Sequence, residues 1–309
     1  MFVATVPPIG AYCTLSDLIA LRLAARDLDL GRQRKVFSLL VGPHQSKFRG
    51  RGIEFEEVRA YQAGDDIRSI DWRVTARTGK PHTRLFREER ERPVLLLIDQ
   101  SLSMFFGSQT CCKSVTAAHA GALLAWAAIQ HNDRVGGLVF AGADHTQIRP
   151  KRSIGNVLQL LNRITAFNQR LNGRLAPEAS GIDHALEELR RITRPGSNIF
   201  LISDFQGLSE AAFEHLYRLQ QHNDVAAIRV YDPLEEELPP PGSYAITDGV
   251  QRMTLNTSDS ELRRGYREHF REKNAALEKV LNGLTIPLLQ LSTQAAPRRF
   301  FQDLLGSRK

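Results

Sequence analysis

Three oxygen-bearing side chains follow an unbroken apolar stretch in the first third of the chain. The segment from Val94 to Ile98 contains only apolar residues, and Asp99, Ser101 and Ser103 come directly after it. One carboxylate and two hydroxyls are hard oxygen donors, which suit Mg²⁺ or Mn²⁺ far better than Zn²⁺. The D-x-S-x-S spacing therefore predicts a Mg²⁺ site, with Mn²⁺ as the alternative metal. A simpler interpretation is that Asp99 and Ser101 cap the next helix.

The hydrophobic pattern indicates which elements must position these side chains. Five apolar residues in succession are typical of a central parallel strand that helices cover on both faces. In open parallel sheets ligands bind beyond the carboxyl ends of the strands, which is where the three side chains would lie. A second apolar strand pattern, residues 198–204, also ends in a carboxylate, Asp204. We therefore expect Asp204 to lie at the same crevice.

Strand and helix patterns alternate along the chain after residue 92. Helices are predicted over 114–131, 154–167, 182–192, 209–222 and 259–282, strands over 225–231 and 286–291, and hairpins over 134–150 and 244–256. The first of these hairpins is expected at an edge of the sheet. This alternation indicates an α/β protein with a three-layer, doubly wound, mostly parallel sheet. A small mixed region of one helix and short strands precedes it, so the predicted domains are residues 1–92 and 93–309.

The composition is that of an ordinary soluble globular protein. Of 309 residues, 42 % are apolar and 24 % are charged. The formal charge of +7 favours acidic partners. Three cysteines, two of them adjacent, do not make a disulfide framework, which favours a reducing cytoplasm. The longest strongly apolar segment, Ala120 to Ile129, is about half of the roughly 20 residues that a membrane helix needs. We expect a cytoplasmic protein without a membrane span.

Residues 47–87 carry a basic tract that would suit a phosphate backbone. Its aromatic side chains, however, are not arranged as a recognised single-strand binding module. An acidic protein surface fits this tract at least as well, so nucleic acid is not the partner that we expect.

The carboxylates of the same segment would permit a metal nuclease. Asp65 and Asp66 nevertheless follow Gly64 in good turn chemistry, and Asp71 can pair with a neighbouring arginine. Trp72 is expected to pack within the small region rather than to stack on a base. A nuclease built on Glu54, Asp65, Asp66 and Asp71 is therefore the weaker interpretation.

A phosphatase is the other catalytic alternative for the strand-end cluster. Phosphatases of the haloacid-dehalogenase type place a nucleophilic aspartate at the end of a strand, but they need a second carboxylate two residues later. Ser101 stands at that position, so the acid/base group is missing. No catalytic residue is predicted.

Two parts of the sequence resemble known families. The order of a strand, D-x-S-x-S, a helix, an edge hairpin, a helix and a strand ending in Ile-Ser-Asp resembles a von Willebrand factor type A domain over residues 93–309. The segment G-D-D-I-R-S-I-D-W-x-x-x-A-R resembles the signature of the bacterial "domain of unknown function 58" family. Its motif residues are Gly64, Asp65, Asp66, Arg68, Asp71, Trp72 and Arg77.

These resemblances carry implications about the site and the partner. The von Willebrand resemblance implies an adhesion-type metal site, in which Asp99, Ser101 and Ser103 match the first motif and Asp204 matches the distal aspartate. Ser180 stands where that pattern usually has a threonine, ahead of an Ala-Leu helix. The second resemblance implies an adaptor or assembly role beside a MoxR-type AAA+ ATPase and its client protein.

Overall fold

The computed structural model describes residues 7–28, 54–62, 65–87, 93–172, 181–247 and 252–305. The chain divides into two compact units, Lys47–Arg92 on its own, and Met1–Ser46 together with Pro93–Lys309. The predicted division into residues 1–92 and 93–309 is therefore corrected at its N-terminal end. The described residues before 47 belong with the α/β unit, and only the segment from 47 to 92 forms a separate small unit.

Helices and strands alternate as the sequence predicts. The helices are α1 (Leu15–Ala24), α2 (Trp72–Thr78), α3 (Lys113–Gln130), α4 (Ile154–Asn168), α5 (Gly181–Ile192), α6 (Glu210–Gln220), α7 (Pro233–Glu236), α8 (Ser260–Gly283) and α9 (Pro297–Leu305). The strands are β1 (Glu54–Ala60), β2 (His82–Arg87), β3 (Pro93–Asp99), β4 (Arg134–Ala141), β5 (Asp144–Lys151), β6 (Asn198–Ser203), β7 (Asp224–Tyr231), β8 (Ser243–Thr247), β9 (Arg252–Asn256) and β10 (Leu288–Ser292). The described residues contain no helix that is both long and apolar enough to cross a membrane.

A six-stranded sheet forms the centre of the larger unit, in the order β10-β7-β6-β3-β4-β5. Its first five strands are parallel, and β5 pairs antiparallel with β4 at the edge. The predicted edge hairpin is thus β4 and β5. Strand β3, which leads to the predicted site, lies between β6 and β4. The predicted α/β fold with a mostly parallel, doubly wound sheet is confirmed.

Strand β3 is buried on both faces, which explains its continuous apolar sequence. Leu96 and Ile98 belong to one hydrophobic cluster with helices α1, α3 and α4. Leu95 and Leu97 belong to a second cluster on the opposite face with α5 and α6. Alternate side chains of a strand point to opposite faces, so the sheet lies between two helical layers.

Helix α3 packs unusually close to this central strand. A Cβ atom at Gly121 would lie 2.6 Å from Cδ1 of Ile98, so a larger residue would require the buried Ile98 side chain to move. Helix α3 is also alanine-rich and buried along most of its length. Glycine and alanine therefore bring the helix that begins at Lys113 directly against the strand that ends at Asp99.

Helix α1 is part of the same core. A capping box begins it, because the Asp17 backbone N–H donates to Thr14 Oγ1 and the Thr14 N–H donates to Asp17 Oδ2. Leu18 and Leu21 are buried in the cluster beside α3. Trp126 of α3 donates a hydrogen bond from Nε1 to the Leu18 carbonyl at 3.0 Å. These contacts place α1 in the α/β unit rather than in the predicted N-terminal domain.

The small unit contains the antiparallel pair β1 and β2 and the short helix α2. The short strands predicted for this region are confirmed. Trp72 was predicted to pack inside the unit, and this prediction is wrong because the residue is 67 % exposed. The described part of this unit offers two strands, the 3₁₀ helix Ile67–Ser69 and a seven-residue helix, which is little surface to cover an indole ring.

Candidate functional site

Two neighbouring parallel strands bring the predicted site together at the carboxyl edge of the sheet. Strands β3 and β6 pair in parallel register, with Ile98 opposite Ile202, so their last residues reach the same level. Asp99 ends β3 and Ser203 ends β6. The Ser203 hydroxyl donates to Asp99 Oδ2 at 2.5 Å and accepts the Phe205 backbone N–H at 2.9 Å. Ser203 thus holds one oxygen of the Asp99 carboxylate.

Asp99 is a buried carboxylate with only neutral partners. It is 3 % exposed, and its Oδ1 accepts the backbone N–H of Ser101 at 2.8 Å. Burial and, secondarily, the nearby charge of Asp204 together raise the pKa of Asp99 to about 6, although the hydrogen bonds from Ser101 and Ser203 act in the opposite direction. Among the described residues Asp99 has no ion-pair partner. A buried, uncompensated carboxylate attracts a proton or a cation.

The two hydroxyls of the D-x-S-x-S motif lie on a single helical turn. Ser101 is the N-cap of the 3₁₀ helix Leu102–Met104, and its side chain makes no capping hydrogen bond. Ser101 and Ser103 are both half-buried. The simple capping interpretation thus holds for the Asp99 carboxylate, which accepts hydrogen bonds from both the N–H and the hydroxyl of Ser101. A hydroxyl that donates keeps its oxygen lone pairs, so both serine oxygens can still bind a cation.

Asp204 differs from Asp99 because an internal cation neutralises it. Lys113, which is fully buried at the start of α3, donates from Nζ to Asp204 Oδ2 at 2.8 Å and to Glu235 Oε1 at 2.6 Å. Burial works to lower the pKa of Lys113, but the charges of Asp204 and Glu235 outweigh it and raise that pKa. The other Asp204 oxygen accepts the Gln206 N–H at 3.0 Å.

A network around the short helix α7 supports Glu235. Asp232 and Glu235 form a capping box, in which the Asp232 N–H donates to Glu235 Oε2 at 3.0 Å. Asp232 Oδ2 accepts the Ser108 N–H at 2.9 Å and the Thr293 hydroxyl at 2.7 Å. These hydrogen bonds lower the pKa of Asp232 although its burial acts in the opposite direction. The network therefore joins the loop after β3 to the ends of β7 and β10.

Arg229 of β7 is a second positive group near these carboxylates. Its guanidinium lies 5.0 Å from the centre of the Phe270 ring. Burial lowers the pKa of Arg229, against the opposing charges of Glu235 and Asp204. The carboxyl edge is therefore a mixed-charge cluster with buried groups of both signs.

Sequence reasoning found Asp99, Ser101, Ser103 and Asp204 but missed Lys113, Ser203 and Glu235. The sequence could have pointed to Ser203, since this residue precedes Asp204 at the end of an apolar strand. It gave only a weak indication of Lys113, which is a single cation ahead of an apolar helix. Glu235 belongs to a loop in sequence, and only the tertiary fold shows its partner. Ser180, the predicted loop ligand, lies outside the described residues.

The motif of the small unit has local structural roles. Asp65 forms an ion pair with Arg59 at 2.7 Å, Asp66 accepts the Arg68 N–H, and Asp71 accepts the N–H groups that begin α2. Of the remaining motif residues, Arg68, Trp72 and Arg77 are exposed, and Gly64 lies outside the described residues. Within the described parts of the chain no three His, Cys, Asp or Glu side chains form a metal-binding cluster.

A family model settles the relationship of the chain to known proteins. The model described as "Protein of unknown function DUF58" matches residues 57–276, more than half of the chain. The chain belongs to the DUF58 family. The uncharacterized proteins Mb1516 of Mycobacterium bovis and Rv1480 of Mycobacterium tuberculosis are each 32 % identical to this DUF58 protein over 274 residues, which cover 88 % of this chain and 85 % of each relative.

Solved structures resemble the DUF58 chain only distantly. The conserved hypothetical protein BatB from Bacteroides thetaiotaomicron is 16 % identical, with a TM-score of 0.40 over 69 % of this chain and 98 % of BatB. The VWA domain of SpRpn10 is 11 % identical, with a TM-score of 0.35 over 69 % of this chain and 95 % of that domain. The predicted family is confirmed by the family model, and the predicted fold by the sheet itself.

The side chains around Asp99 fit a small, hard cation, whereas those around Asp204 do not. Asp99, Ser101 and Ser103 provide a buried carboxylate without a counter-charge and two available hydroxyls, the donor set that Mg²⁺ prefers. Asp204 is already bound to the Lys113 ammonium. The D-x-S-x-S motif would therefore supply the direct metal ligands, and Asp204 would contribute only indirectly.

Proposed function

We propose that this DUF58 protein is a non-catalytic interaction protein, an adaptor that recognises its partner at the carboxyl edge of the sheet. The observation that carries the proposal is Asp99, a buried carboxylate beside two available hydroxyls and without a counter-charge in the described structure. Every other carboxylate of this cluster serves as a partner of Lys113 or as a helix cap. Ser203, the hydroxyl that pairs with Asp99, is fully buried and so is not exposed as a nucleophile, which favours recognition over turnover.

Mg²⁺ is the cofactor that we propose for this edge, with Mn²⁺ as the alternative. Ser101 and Ser103 would bind it directly and Asp99 directly or through water. Asp204, which already pairs with Lys113, would act through water, and Ser180 would complete the set from its loop. Mg²⁺ gives up its water reluctantly, so a few protein ligands suffice. When bound, it would offer an open coordination position to a carboxylate of the partner.

The partner that we propose is a MoxR-type AAA+ ATPase, together with the client protein that it assembles or matures. This part of the proposal is supported by the family signature alone. The compartment that we propose is the cytoplasm, and the three cysteines, all free thiols, suit a reducing environment.

Calorimetric titration with Mg²⁺ tests the metal. The wild-type protein should give binding heats that Asp99→Ala abolishes, whereas Asp303→Ala, which removes an exposed carboxylate of α9, should leave them unchanged. Equal heats for the wild type and Asp99→Ala would remove Mg²⁺ from the mechanism.

Binding to the purified MoxR-type ATPase of the same organism tests the partner. Wild type and Asp99→Ala are each captured with Mg²⁺ and with EDTA. The proposal expects retention of the ATPase by the wild type in Mg²⁺ and weaker retention in the other three conditions. Equal retention in all four conditions would support the adaptor role but exclude a role for the metal. No retention in any condition would exclude this partner.

An assay with a generic phosphate ester tests the non-catalytic part. No turnover above the Asp99→Ala background is expected. Turnover that depends on Asp99 would make the protein a phosphatase and overturn the proposal.

A further inference from the structure

A basic cavity lies at the amino edge of the same sheet, opposite to the Asp99 cluster. It has a volume of about 500 Å³, and no acidic residue is found among the described residues that line it. Five of the lining residues are basic: Arg134, Arg149, Lys151, Arg191 and Arg194. We call this site the basic cavity.

The five cations come from separate parts of the chain. Arg134 begins β4, and Arg149 and Lys151 end the antiparallel strand β5. Arg191 lies in the last turn of α5, and Arg194 follows that helix. The amino ends of β3 and β4 and the carboxyl ends of β5 and α5 meet at this edge, so tertiary folding concentrates the positive charge.

Three of these five cations have no ion-pair partner among the described residues. Arg191 pairs with Glu187 and Glu188 of its own helix. Arg149, Lys151 and Arg194 are exposed and have no ion-pair partner among the described residues. Like charges around a concave surface focus a positive potential, which attracts anions and raises their local concentration.

Protection of a sheet edge is the alternative explanation for some of these residues. Lysine, arginine and proline on an edge strand discourage pairing with other chains, and β5 is an edge strand with Pro150 near its end. Such protection needs charge only on β5 itself. It does not account for Arg194 behind α5 or for Arg134 on the interior strand β4.

We propose that the basic cavity binds an acidic segment, rich in Asp and Glu, of a partner protein. The proposal rests on the interaction role given above but not on the metal. Pro93, Pro150 and Ile192 add apolar wall between the cations, which suits the aliphatic part of a peptide. A smaller cavity of about 350 Å³ shares Arg149 and Lys151 and continues along β5, so the surface is long enough for an extended segment.

Nucleic acid fits this surface less well. The lining contains no aromatic ring on which a base could stack, and single-strand binding proteins depend on such stacking. A concave wall also cannot enter the major groove of a duplex as a helix or a strand ribbon does. Charge complementarity and shape therefore favour a peptide.

The test is binding of a fluorescent oligo-glutamate peptide to the full chain in EDTA, at low and at physiological salt. The test variant Lys151→Ala/Arg194→Ala removes two unpaired cations of the cavity. The control Lys273→Ala/Lys279→Ala removes two exposed lysines of α8 and changes the net charge equally. We expect saturable, salt-sensitive binding that the test variant weakens roughly tenfold and the control leaves within about twofold. Circular dichroism confirms that both variants fold.

Several outcomes would overturn the proposal. Equal weakening by both variants would show attraction by net charge alone. In a second such outcome, the protein binds tripolyphosphate or single-stranded DNA but not oligo-glutamate, and the test variant weakens that binding. That result would show that the ligand is a phosphate and not a peptide. EDTA keeps each result independent of the Mg²⁺ proposal.

Discussion

The two edges of the central sheet use charge in opposite ways. At the carboxyl edge, Lys113 is fully buried between Asp204 and Glu235, so its charge is neutralised inside the protein. At the amino edge, Lys151 and Arg194 are exposed and have no described partner. Buried charges require partners because desolvation is costly, whereas exposed charges do not. The carboxyl edge therefore depends on the Lys113 ion pairs for stability, and the amino edge keeps its charges available for binding.

Removal of Lys113 should have the largest effect. Lys113→Met leaves Asp204 and Glu235 beside each other without their cation, so the free energy of unfolding should fall by about 3–5 kcal/mol. Urea denaturation measures this loss. The triple variant Lys113→Met/Asp204→Asn/Glu235→Gln, which removes all three charges, should recover much of it. A loss below about 1 kcal/mol for Lys113→Met would contradict a structural role for this ammonium.

Asp99 should give the carboxyl edge an unusual dependence on pH. Its pKa is raised from 3.8 to about 6 in the folded protein, so the folded state holds the proton more tightly than the unfolded chain. In EDTA, the stability contributed by Asp99 should fall as the pH rises from about 3.8 to about 6 and stay constant above that range. Asp99→Asn should therefore be about 1–3 kcal/mol more stable than the wild type near neutral pH.

Urea unfolding across this pH range checks the prediction. Asp303→Asn, at an exposed carboxylate of α9, provides the control and should follow the wild type. If the difference between Asp99→Asn and the wild type does not change with pH, Asp99 is not the titrating group.

Thr293 tests the neutral part of the network at the carboxyl edge. Thr293→Val keeps the shape of this fully buried side chain but removes the hydroxyl that donates to Asp232 Oδ2. We expect a loss of about 1–2 kcal/mol in the free energy of unfolding, smaller than that for Lys113→Met because Asp232 keeps the Ser108 N–H. Thermal unfolding measures it, and Thr293→Ser, which retains the hydroxyl, should lose less.

The amino edge should show the smallest effect. Lys151→Ala/Arg194→Ala removes exposed charges without a described partner, so the free energy of unfolding should change by no more than about 0.5 kcal/mol. The same urea experiment measures it beside Lys273→Ala/Lys279→Ala. A large loss of stability at the amino edge would remove the contrast between the two edges.

Much of this architecture was predictable because it depends on local pattern. The apolar run of β3 requires burial on both faces, and the structure places its alternate residues in two clusters. The Asp99 motif and Asp204 were predicted at the same edge because parallel strands align their carboxyl ends. The boundary at residue 92 was only partly right, since nothing local shows that Trp126 binds the Leu18 carbonyl more than a hundred residues away in sequence.

By itself the sequence determined the alternation of strands and helices, the family motif and the positions of the oxygen donors, because these depend on residue type and short spacing. Tertiary structure alone decided how charge is distributed. It placed Lys113 between Asp204 and Glu235, 91 and 122 residues away in the chain, and left Asp99 without a counter-ion. It also gathered cations from three elements around one cavity. Electrostatic pairing depends on distance and burial in space, which no short segment of the chain encodes.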